Sequence, residues 1–175
     1  ERYKHMIALD KAKELLEQQD GVDGVEVCRD AFVKGQFSNR INPGEPHDIV
    51  VHPAEEKQVL KVVVPHIAKV KSGSELYRVL SHLTYDMLLG KVGVDQDGEV
   101  RFEINHACRD GADVDPTPEV FGRLVEVAMD MTNHVVLLAT HVGMVEAGVP
   151  EDVARKFIEQ FREQEKEDGD DEETL

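Results

Sequence analysis

TPEVFGRLVEVAMDMTNHVVLLATHVGMVEAG, residues 117 to 148, reads as one long helix around which the rest of the chain is arranged. Thr117, Pro118 and Glu119 supply a capping hydroxyl, a residue that needs no N–H, and an acid near the positive helix end. Gly148 followed by Pro150 predicts where it stops. Phe121, Leu124, Val125, Ala128, Thr132, Val135, Leu138, Ala139 and Val142 recur at three- and four-residue steps and build one apolar stripe. The opposite face starts polar, with Glu119, Arg123, Glu126, Asp130 and Asn133, then turns apolar at Leu137 and Met144. A helix that is oily on nearly every side must be covered on nearly every side, by its own domain, by the tail, or by another chain.

Upstream of this helix the chain alternates between helix and strand signals. Residues 2–19 place Met6, Leu9, Ala12 and Leu16 on one face of a short amphipathic helix. Gly24 to Phe37 alternates weakly and predicts one long or broken strand, interrupted at Asp30 and Gly35; Ser38 to Pro46 is a loop. Asp48 to His52 and Gln58 to Val64 are β-branched runs joined as a hairpin, with Pro65 expected to end the second run or sit at its edge. Ser72-Gly73-Ser74-Glu75 has the spacing of a capping box, and the following residues place Leu76, Val79, Leu80, Leu83 and Met87 on one helical face closed by Gly90. Lys91 to Ile104 reads as a second hairpin turning at Asp97-Gly98, with Val100, Phe102 and Ile104 inward. Pro150 opens a last helix whose Val153, Phe157, Ile158 and Phe161 face one side. The expected fold is therefore α+β: an antiparallel sheet of about five strands packed by helices, in the order α-β-β-β-α-β-β-α-α. Residues 1–165 are expected to form a single domain and 166–175 a disordered acidic tail.

Charge narrows the classes of partner. The net charge of −16 argues against nucleic acid and anionic membrane surfaces, which need clustered lysine and arginine. Residues 159–175 carry nine acids against Arg162 and Lys166, so −9 remains on the first 158 residues and the body itself is acidic. Such a surface serves solubility, or a partner with a basic face. No apolar run approaches the ~20 residues of a membrane span, and no secretory signal is visible, so a cytoplasmic location is expected. Cys28 and Cys108 lie far apart without a CxxC pair and are expected as reduced, partly buried thiols.

Strong catalytic motifs are missing. The DxDG at Asp95 to Gly98 fails as a calcium loop, because Gly93 and Ile104 would fall where the first acid and the bidentate glutamate belong. His134 and His141 lie two turns apart on the long helix, about 10 Å by helix rise, too far to share a zinc without a bend. Asp130, His134 and His141, or the region of His106 and Cys108, nevertheless define the alternative reading, a small-ligand or metal-dependent activity. There is no Gly-rich phosphate loop, no G-x-S-x-G and no H-E-x-x-H, so no catalytic or metal residue is named and no cofactor is expected.

The succession DIVVHP and QVLKVVV, the helix SELYRVLSHLTYDMLLG, the hairpin KVGVDQDGEVRFEIN and the long helix resembles the YbjN-type family of bacterial sensory transduction regulators. That family shares the fold of type III secretion chaperones, and the resemblance spans residues 48–148. It implies a small acidic α+β protein that is not an enzyme and acts by binding other proteins, often as a dimer, without a cofactor. The loop at 38–46 and the last helix with its tail have no counterpart in the resemblance. The residues lead to the same place. Val136, Leu137 and Met144, together with Phe157 and Phe161, form the expected protein-binding or dimer surface. Either the last helix folds back over Leu137 and Met144, or two chains pack there symmetrically, and a homodimer is the expectation.

Overall fold

The computed structural model describes residues 7–54, 59–71, 73–86, 89–108 and 116–170. Its elements run α1 (Leu9–Glu17), β1 (Val22–Cys28), β2 (Phe32–Ser38), β3 (Pro46–Ala54), β4 (Val59–Lys69), α2 (Glu75–Asp86), β5 (Lys91–Val94), β6 (Glu99–Ala107), α3 (Pro118–Glu146) and α4 (Glu151–Asp170). Six strands form one antiparallel sheet in the order β1-β2-β3-β4-β6-β5. The class is α+β as expected. The strand count rises from about five to six because the weakly alternating stretch 24–37 is a hairpin and not a single strand. Arg29 and Asp30 both take positive φ, 52° and 49°, and Ala31 N donates to Cys28 O at 3.0 Å, which is the geometry of a primed hairpin turn.

Alternation along the strands assigns the two faces. Val33 and Phe37 of β2, Ile49 and Val51 of β3, Leu60, Val62 and Val64 of β4, and Val100, Phe102 and Ile104 of β6 are buried. They meet α1 over β1 and β2, α3 over β4 and β6, and α2 beside β5. The other face carries one rung across all six strands: Glu26, Lys34, Val50, Val63, Glu103 and Lys91. Polar pairing satisfies this face. Lys34 and Gln36 hold Asp48 at 3.1 and 3.0 Å, while Glu103, 7% exposed, accepts from Asn105 at 3.0 Å between Lys61 and Lys91. Burial pushes the Glu103 carboxyl up, but Asn105 and the two lysines outweigh it and hold it below the usual range.

Several local expectations change in detail. Pro65 neither ends β4 nor marks its edge. The strand continues to Lys69 through a bulge between Val64 and Ala68, where a residue without an N–H removes no ladder bond. The hydroxyl that caps α2 belongs to Ser74, which accepts from Tyr77 N at 3.3 Å; Ser72 lies outside the described residues. Thr117 caps α3 by accepting from Val120 N at 3.4 Å. At its other end Val149 N reaches Met144 O and Gly148 N reaches Val145 O, both at 3.0 Å, with Gly148 at φ 89°. That is a Schellman motif, and Pro150 then starts α4 almost at once. The helix α4 runs to Asp170, past the boundary expected at residue 165, and 171–175 lie outside the described residues.

Candidate functional site

The site is built from the side of α3 that faces away from the sheet. Positions 137 and 144 fall opposite the stripe of Phe121, Ala128 and Val135 that packs on β4 and β6. With the four residues Ala147 to Pro150 between the helices, α4 must run back along α3, and α3 is the element it packs on. Leu137 is 4% exposed, and Ala154 and Ile158 of α4 are also buried. All three stand outside the main core cluster. They mark a second, thinner apolar layer between α3 and α4, so the chain itself covers Leu137.

The other expected surface residues divide. Val136 is half-buried and packs against the main core, on a different side of α3 from Leu137. Met144 is half-buried. Phe157 and Phe161 are half-buried and meet edge to face, ring centroids 5.1 Å apart. Val153, 48% exposed, precedes them by one turn, so Val153, Phe157 and Phe161 line one stripe of α4 beside the stripe of Ala154 and Ile158 that is turned inward. Phe157 and Phe161 lie on the last helix, but Ile158, expected on the same side, is turned inward with Ala154, which sequence reasoning missed. The signal was available: a four-residue link between two helices forces them side by side.

Two of the hollows among the described residues bear on ligand binding. The larger, about 750 Å³, lies between the end of β4, the β5–β6 turn and Tyr77. Its lysines, Lys69 and Lys71, stand next to Asp95 and Asp97. Asp95 is already committed, its Oδ1 accepting from the backbone N–H of Asp97 and Glu99 at 2.9 and 3.0 Å. The hollow therefore presents no surface of one sign. The smaller, about 280 Å³, lies between α2, the end of α3 and the first turn of α4. Its floor is Val79, Val142 and Val145, and Glu75, Glu146 and Glu151 are at its rim. His141 stands in its wall, with a buried Nε2 that finds no hydrogen-bond partner among the described residues.

The histidines do not assemble into a metal centre. Among the described residues no three His, Cys, Asp or Glu side chains are placed to hold a metal ion, so Asp130, His134 and His141 remain separate positions on one helix. Cys28 and Cys108 are half-buried and form no disulfide with one another. His47 serves the loop between β2 and β3. Buried Asn39 spends its Oδ1 on the N–H groups of Ile41 and Asn42, at 3.0 and 2.6 Å, so its Nδ2 donates to His47 Nε2 at 2.9 Å. The ring must be neutral to accept, and burial holds its pKa below the usual value.

No family model and no curated protein matches the chain, so the YbjN-type resemblance of residues 48–148 gains nothing from that side. Among solved structures the chain is similar to a chain in the structure of the heterodimeric complex ExoU–SpcU from the type III secretion system of Pseudomonas aeruginosa. The two share 20% identity over 59% of this chain and 81% of that one, with a TM-score of 0.40. No described helix is long and apolar enough to cross a membrane.

Proposed function

We propose that this chain is a cytoplasmic, non-enzymatic protein-binding module, chaperone-like or regulatory, that works as a homodimer and meets its partner with the helical layer. One observation carries the reading. After α4 has covered Leu137 with its inner stripe, a second apolar stripe of Val153, Phe157 and Phe161 still stands on its flank. Full burial of an exposed side chain of this kind is worth about 1.5–3 kcal/mol, and these partly exposed residues gain the remaining part of it in a contact, so the stripe favours association. A second copy of the same stripe is the simplest cover, because a two-fold axis brings an apolar patch onto itself. Within this arrangement Leu137 anchors α4, Phe157 and Phe161 make the contact, and Met144 flanks it.

The test is the double variant Phe157→Asp with Phe161→Asp, measured by light scattering and circular dichroism. Both positions are half-buried on the flank of α4, so helicity should be kept while the dimer dissociates. A variant with the native mass and native helicity would remove the surface from consideration.

A further inference from the structure

The hollow between α2, α3 and α4 has a shape and a charge that together specify an occupant. Val79, Val142 and Val145 form an apolar floor, and Val145 is still 39% exposed. About 280 Å³ is room for one large side chain, since ~150 Å³ of apolar cavity already holds a benzene ring. Three carboxylates, Glu75, Glu146 and Glu151, border it from three different helices. The first and third are paired along their own helices, Glu75 with Arg78 and Glu151 with Arg155, but all four side chains are more than half exposed. Exposed pairs of this kind are worth little and exchange partners easily. Glu146 has no cation within pairing distance among the described residues, and the C-terminal end of α3, where it sits, adds its own negative pole. The buried Nε2 of His141 is a polar atom still short of a hydrogen-bond partner, at the wall of the same hollow.

The geometry points to a docking slot for a basic amphipathic segment of a protein partner. One large apolar side chain of that segment lies on the valine floor. Lysines or arginines one turn to either side meet the carboxylate rim. The assignment rests on the protein-binding reading above and names the chemistry of the partner. It also fits a chain whose body, apart from the last seventeen residues, carries −9 of the total −16. The slot opens beside the dimer stripe and uses none of its three residues, so occupancy and dimerisation are separate events.

The experiment uses a fluorescently labelled helical peptide of leucine and lysine, with leucines at three- and four-residue steps, titrated into the full chain. Four comparisons make it decisive. A matched peptide with alanine for leucine should bind about tenfold more weakly, and one with glutamate for lysine should not bind. The variant Val145→Lys with Glu146→Lys should lose about tenfold in affinity. Glu26→Lys with Asp30→Lys, placed on and beside the open face of the sheet, changes the net charge by more, +4 against +3, and should leave affinity within about twofold. Equal losses from both charge-reversing variants, or equal binding of the leucine and alanine peptides, would show general attraction to an acidic surface and overturn the slot. Repeating the titration on the Phe157→Asp, Phe161→Asp variant separates the two readings. Unchanged peptide affinity is expected whether or not that variant is a monomer, and a lost dimer stripe leaves the slot standing.

Discussion

At Gly98 a positive φ of 81° coincides with a close backbone approach, since an added Cβ would lie 2.1 Å from the carbonyl oxygen of Val70. Val70 N also donates to Gly98 O at 2.8 Å, so the turn is fastened to the end of β4. Gly98→Ala should therefore cost about 2–4 kcal/mol in a urea melt, because strain and overlap add. A cost below ~1 kcal/mol would mean that the turn relaxes away from Val70. The opposite sign is expected at the β1–β2 turn. Arg29 and Asp30 hold positive φ without a glycine, so Arg29→Asn with Asp30→Gly should stabilise the fold by about 1 kcal/mol in the same assay. His47 contributes a pH dependence. It is neutral in the fold, with its pKa pushed below 6.5 by burial, whereas the unfolded chain takes up a proton near 6.5. Below that pH the unfolded state binds more protons, so stability is complete above it and declines as pH falls toward the folded value. Thermal midpoints between pH 7.5 and 5.5 should fall more steeply for the native chain than for His47→Gln; parallel curves would remove His47 from this role.

The helix α4 depends on a thin layer, and this makes its docking separable from the core. Leu137→Ala should cost about 2–3 kcal/mol, with the loss concentrated in α4. Hydrogen exchange is the appropriate readout: amides of 151–161 should exchange faster while those of β4 and β6 keep their protection. Uniform loss across the sheet would mean that α4 is part of the central cooperative unit. Legibility in the sequence followed the same local logic. The bounds of α3 could be read because Thr117, Pro118 and Gly148 each solve a helix-end problem with their own chemistry. The hairpin of β1 and β2 could not, because Arg29 and Asp30 take a conformation that a sequence normally signals with Asn-Gly. The cap of α2 is Ser74, which accepts from Tyr77 N, although the capping-box spacing in the sequence starts at Ser72. The oil on both sides of α3 was visible, whereas its cover had to come from a fold-back that the four residues at 147–150 impose. The slot at Val145 was invisible, since it combines residues from three helices that no spacing rule connects.

For the molecule as a whole, the sheet presents a polar face satisfied by its own ion pairs, and the helices carry the apolar remainder on the other side. An acidic body with an apolar stripe on its outermost helix suits the association proposed above, at the stripe, and dispersal elsewhere. The mass of the native chain in solution bears on that claim most directly. Light scattering across micromolar concentrations should give a particle of twice 19.6 kDa. A particle of 19.6 kDa at every concentration would contradict the dimer and leave the stripe on α4 without the cover assigned to it.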